Sequence, residues 1–171
     1  MHKISIKLVA SLFAIAAVAG GASAYDRKNY PGAACLASGS TNASVARSGT
    51  TGRSFNQSTA ELVFVCPAVK DFASIQDGYV YVLDENSASG ANVDCWLRSG
   101  RPDSTTVQSS SASTGALSPT FTSNGTPTKL TFGSVGAVSE GFYFLRCNVP
   151  GTDAQTGEQS GIVTYQIGEA E

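Results

Sequence analysis

Histidine is nearly absent from this 171-residue chain, with one copy at His2. That copy falls in an opening segment with the marks of a secretory signal peptide. Residues 1–24 carry Lys3 and Lys7 and no acid, run through an apolar stretch from Leu8 to Val18, and end in Ala22-Ser23-Ala24. A basic start, an apolar run short for a bilayer and an A-x-A exit predict cleavage after Ala24. The expected mature chain, residues 25–171, keeps 147 residues and no histidine. A Ser-His-Asp triad, a Cys-His pair, histidine general-base catalysis and histidine-ligated zinc are then excluded.

Other absences narrow the chemistry further. No serine stands in G-x-S-x-G; the nearest match, Gly52-Arg53-Ser54-Phe55-Asn56, lacks the second glycine. The residues three before Lys28, Lys70 and Lys129 are Tyr25, Pro67 and Thr126, so no Ser-x-x-Lys pair exists in the mature chain. There is no G-x-G and no G-K-[ST], hence no dinucleotide fingerprint or phosphate loop, and no cofactor is expected. Basic charge is sparse: nine basic against thirteen acidic side chains leave the mature chain at −4, without an electrostatic footprint for nucleic acid. No second apolar run approaches the roughly 20 residues of a transmembrane helix, so a soluble exported protein that does not span the membrane is expected. Cys35 follows Gly32-Ala33-Ala34 well beyond the apolar region, which argues against a lipid anchor.

Four cysteines are present, Cys35, Cys66, Cys95 and Cys147, and no C-x-x-C. That spacing disfavours a redox pair and an all-cysteine zinc site. Export places the thiols in an oxidising compartment, where two structural disulfides are the expected outcome. Of the three connectivities, Cys35–Cys66 with Cys95–Cys147 is favoured, because the last two cysteines sit on matched strand-like segments.

The mature sequence reads as one all-β domain over residues 25–171. Segments 61–66, 79–83, 92–98, 129–132, 142–149 and 162–167 are short, rich in β-branched and aromatic residues, and bounded by Gly, Pro, Asn or Ser. Weaker strands are expected around Cys35, Val45 and Val107, and the signal peptide apart, no stretch has a helical apolar period. Eight or nine short strands predict a single antiparallel β-sandwich, immunoglobulin-like or jelly-roll. Residues 104–128 hold 14 Ser or Thr in 25 positions and are read as a solvated loop or polar edge hairpin. Asn42, Asn56 and Asn124 fit the N-glycosylation pattern, which arises easily by chance in so Ser/Thr-rich a chain.

Alternation supports a finer expectation. Val93, Cys95 and Leu97 share one strand face, as do Tyr143, Leu145, Cys147 and Val149. With these faces inward and Cys95 opposite Cys147, Trp96 faces Arg146 and Arg98 faces Phe144 on the outside. Trp96, Arg98, Phe142, Phe144 and Arg146 then form a flat aromatic–arginine patch, the candidate ligand-binding site, with Tyr79 and Tyr81 on another strand face. Flat aromatics flanked by Arg, Asp and Asn suit stacking on sugar rings, against the simpler alternative that they pack in a core or interface. No catalytic residue is singled out. The acids Glu61, Asp71, Asp77, Asp84, Glu85, Asp94, Asp103, Glu140, Asp153 and Glu158 leave carboxylate chemistry open, because two carboxyls about 5–9 Å apart can hydrolyse a glycoside. No metal site is expected. The oxygen-rich run from Asp84 to Cys95 fails the EF-hand spacing at Ala88, Ser89 and Cys95, and a hairpin turn between the flanking strands accounts for it.

Several stretches carry a resemblance: Tyr30-Pro31-Gly32, Phe55-Asn56, Leu62 to Pro67, Val80 to Asp84, Val93-Asp94-Cys95, Leu130 to Gly133, Tyr143 to Pro150 and Gly161 to Tyr165. In that order the chain resembles a group of uncharacterised small secreted bacterial proteins, mostly proteobacterial. The resemblance implies a secreted, disulfide-bonded β-sandwich and carries over no active-site residue and no substrate. Chaperone-assembled pilins match poorly, since the ten residues between Ala24 and Cys35 are too few for a clear alternating donor strand. The expected function is therefore a non-catalytic exported sandwich that binds carbohydrate or a cell-surface ligand. A pilin-like structural subunit and a carboxylate-dependent glycoside hydrolase are the alternatives.

Overall fold

A computed structural model describes residues 25–38, 46–48, 50–101, 107–136 and 138–170. The expected signal peptide, Asn42, Val45, Asp103 and residues 104–106 lie outside the described residues. Eleven strands follow in chain order: β1 Tyr25–Pro31, β2 Leu36–Ala37, β3 Ala46–Ser48, β4 Ser54–Asn56, β5 Leu62–Ala68, β6 Ser74–Leu83, β7 Asp94–Gly100, β8 Val107–Ser113, β9 Thr128–Phe132, β10 Phe142–Val149 and β11 Gly161–Ala170. They build a six-stranded sheet of order β3-β4-β11-β6-β9, with β1 also on β11, and a five-stranded sheet of order β2-β5-β10-β7-β8. Every pairing is antiparallel, so the chain is a β-sandwich. Among the described residues, no helix is long and apolar enough to cross a membrane.

Period-two alternation places the core. Phe64, Leu97, Tyr143, Leu145 and Val149 point inward from the five-stranded sheet, and Val80, Val82, Leu130, Ile162 and Ile167 meet them from the other. The two largest buried side chains bring polar tips that find partners. Tyr143 Oη donates to Phe72 O at 3.1 Å and Tyr165 Oη to Pro67 O at 2.5 Å.

Both favoured disulfides form, Cys35–Cys66 and Cys95–Cys147, and no described cysteine is free. Cys95–Cys147 ties neighbouring strands β7 and β10, with the two cysteines directly opposite, and Cys35–Cys66 ties the residue before β2 to β5, so both stay within the five-stranded sheet rather than bridging the two sheets as in an immunoglobulin domain. The bond behind β7 and β10 holds their register, and register decides what the outer face carries.

One expectation needs correction. Residues 84–93 are not a hairpin turn, because β6 lies in the six-stranded sheet and β7 in the five-stranded one. The segment crosses between sheets, anchored by buried Asp84, which accepts from Val93 N at 3.2 Å and from the Thr114 hydroxyl. The short stretch before Cys35 forms one of the strands expected there. β1 pairs with β11 over seven residues, from Tyr25↔Ala170 to Pro31↔Thr164. Its charged residues are held by contacts made at a distance in sequence: Lys28 Nζ sits 2.5 Å from the fully buried carboxylate of Glu169. Gly32 follows where the backbone of β11 passes so close that a Cβ would lie 2.1 Å from Ile162 O.

Candidate functional site

The site expected from alternation lies on the outer face of the five-stranded sheet. Along β7 and β10, buried Cys95, Leu97, Tyr143, Leu145 and Cys147 alternate with the less buried Trp96, Arg98, Phe142, Phe144 and Arg146. The pairing is Trp96↔Arg146 and Arg98↔Phe144. One row crosses all five strands as Leu36, Val65, Arg146, Trp96 and Ser111. The next holds Pro67, Phe144, Arg98 and Ser109. Leu36 and Phe142 are 70% and 44% exposed, which leaves apolar surface on this face open to solvent.

The side chains depart from the expected pairs in one respect. Arg146 Cζ lies 5.6 Å from the Trp96 ring centre, as expected for cross-strand partners, but Arg98 also turns to Trp96, at 5.6 Å, rather than to Phe144. Phe144 stacks instead on Phe142, with centroids 5.2 Å apart and planes at 29°. The tryptophan is thus flanked by two guanidinium groups. Burial lowers the pKa of Arg98, and the neighbouring Arg146 charge adds to the effect. Arg98 Nε is buried without a hydrogen-bond partner.

Beside Trp96 opens a cleft of about 310 Å³ lined by Asp94, Ser111, Ser113 and Ala116 among others. Asp94 stands opposite Asn148 and Ser113 in the sheet. Asp94 is among the acids considered from the sequence; Ser111 and Ser113 are not singled out there, although Ser109, Ser111 and Ser113 share one face of β8 at period two. Tyr79 and Tyr81 occupy the outer face of the other sheet, edge to face at 5.5 Å, with Lys129 Nζ 4.2 Å above the Tyr79 ring.

The acids fall into separate settings. Asp77 pairs with Arg27 at 3.2 Å and Glu140 with Arg101 at 3.3 Å. Glu61 accepts from Asn148 Nδ2 at 2.9 Å. Asp153 accepts backbone N–H bonds from Ser87, Gln155 and Thr156, which hold its carboxyl well below the usual range. Asp26, Asp71 and Glu169 converge, but on Lys28, which occupies their centre. Glu85 and Glu158 share a cleft of about 350 Å³ with Arg53, Phe55 and Gln159. Burial raises the Glu85 pKa against the Gly125 N–H bond that lowers it, and the Glu158 and Asp84 charges raise it further. Sequence reasoning gave no sign that these two acids meet. Asn56, one of the glycosylation matches, is fully buried; its Nδ2 donates to Ala60 O, Val149 O and Pro150 O at 2.8–3.0 Å. It is a structural bracket.

No family model matches the chain, and no curated protein is found to be similar to it.

Proposed function

We propose that this chain is an exported, non-catalytic β-sandwich that binds carbohydrate through the face built on Trp96, Phe142 and Phe144. The observation that carries the reading is the outward Trp96 beside a cleft lined by Asp94, Ser111 and Ser113. An aromatic plane covers the C–H face of a sugar ring, and short polar groups at its edge hydrogen-bond the hydroxyls. The opening segment and the disulfides support export to an oxidising compartment, periplasmic or extracellular. The test is a glycan array together with a cell-wall pull-down, using the exported protein and Trp96→Ala. Saturable retention that the variant loses is expected. Both assays returning nothing for the folded protein would overturn the proposal.

A second reading has one observation in its favour. Glu85 and Glu158 line the same cleft, and burial raises the pKa of Glu85, as a general acid of a glycoside hydrolase requires. Hydrolysis of a glycan panel by the wild type and none by Glu85→Gln would establish it. For a pilin-like subunit the C-terminal strand offers no free edge, since β11 is flanked by β6 on one side and by β1 and β4 on the other.

A further inference from the structure

We infer that the Trp96 face selects acidic glycans, with Arg98 and Arg146 receiving the carboxylates of a uronate-bearing polysaccharide; the inference rests on the carbohydrate reading above. Both arginines stand beside one indole ring. In an acidic chain this is an unusual placement, because the two like charges repel. Among the described residues neither arginine has a carboxylate partner, whereas Arg27, Lys28 and Arg101 are each ion-paired.

The desolvation of Arg98 points the same way. Its Nε is a buried donor with no acceptor, and burial together with Arg146 disfavours its charged form. A ligand that brings a carboxylate neutralises the pair and supplies acceptor oxygens to the terminal N–H groups of the guanidiniums. Guanidinium is planar and presents parallel N–H donors, so the two-oxygen edge of a carboxylate fits it closely.

The distribution of charge along β7 narrows the ligand. Arg98 lies two residues beyond Trp96, while Asp94 lies two residues before it, beside Ser111 and Ser113 in the cleft. A ligand must therefore offer an anionic group on one side of the ring and hydroxyl donors on the other. A sugar unit with one carboxylate and free hydroxyls meets both demands. A densely sulfated chain would set negative charge against Asp94 as well.

The test compares two forms of one polymer by calorimetric titration of the exported, disulfide-bonded protein: oligogalacturonate and its methyl ester, which keeps the sugar backbone and removes the charge. The acid form is expected to bind at least about tenfold more tightly, less so as salt is raised. Arg98→Gln combined with Arg146→Gln should erase that preference, bringing the affinity for the acid form down to that for the ester. Both side chains point away from the core, and thermal unfolding of the double variant checks that it remains folded. Equal affinity for the two forms, unaltered by the glutamines, overturns the inference and leaves carbohydrate binding standing. Failure of both forms to bind overturns it too, and the glycan array then decides the underlying reading separately.

Discussion

Replacing Lys28 by Met removes the cation on which the buried Glu169 and the half-exposed Asp26 and Asp71 converge. Its ammonium lies 2.5 Å from Glu169 Oε2, 2.7 Å from Asp71 Oδ2 and 3.3 Å from Asp26 Oδ2. The Glu169 side chain is 0% exposed, whereas those of Asp71 and Asp26 reach water at 51% and 42%. Burial alone would lower the lysine pKa, but hydrogen bonds to Asp71, Glu169 and Asp26 outweigh it and raise the value. For a cation whose folded pKa is raised, the stabilisation is complete below the unfolded value near ~10.4, hence at neutral pH. In Lys28→Met the two exposed acids turn to solvent. Glu169 cannot, and keeps only the amides of Asp71 and Phe72, at 3.2 and 3.4 Å. Stranding a buried charge costs about 3–5 kcal/mol; with two amide donors remaining, about 3 kcal/mol is expected. For a domain of this size that lowers Tm by about 10 °C. Urea denaturation and calorimetry of the oxidised protein measure it. A double variant, Lys28→Met with Glu169→Gln, keeps an acceptor for the amides without the charge and should recover most of the loss. A loss below about 1 kcal/mol in the single variant, or a double variant worse than the single, would refute the reasoning.

Further predictions concern the fold around the site. Gly32→Ala drives a Cβ to within 2.1 Å of Ile162 O and should cost at least about 2 kcal/mol in chemical denaturation. Changing Cys95 and Cys147 together to Ala removes a bond closing 52 residues, worth about 4 kcal/mol on the chain-entropy argument, and should weaken glycan retention as well, since that bond holds the β7–β10 register. Asp84 is buried with Oδ1 unpartnered; burial raises its pKa against opposing hydrogen bonds from Thr114 and Val93. A raised carboxyl pKa makes the charged form a burden that grows as pH rises from the unfolded value near ~3.9 through the folded one. Asp84→Asn should therefore gain about 1 kcal/mol at pH 7. That gain should fade below about pH 4, and stability measured from pH 3 to 7 reads it.

Sequence revealed most where local pattern and tertiary demand agree. The alternation of β7 and β10 places Cys95 and Cys147 opposite each other, and from that register the outward Trp96, Arg98, Phe144 and Arg146 follow. Where a residue's role depends on a distant partner, pattern fails. β1 has Asp26, Arg27, Lys28 and Asn29 in place of an apolar alternation, and its strand is set by β11 and by Glu169, 141 positions away from Lys28. The turn chemistry of residues 84–93 is genuine but says nothing about which sheet the next strand joins, and Thr114 settles that for Asp84. Register fixed that Arg98 stands opposite Phe144; the long side chain was free to turn to Trp96. The meeting of Glu85 and Glu158 required three loops to come together and has no sequence signature.

Trp96 is the only tryptophan in the chain, so intrinsic emission reports on the proposed site and nowhere else. Titrating the disulfide-bonded protein with any glycan retained in the array or pull-down should give a saturable change in that emission, with a midpoint matching the calorimetric affinity. Retention of a glycan with the Trp96 spectrum unchanged would place binding elsewhere on the sandwich and contradict the account.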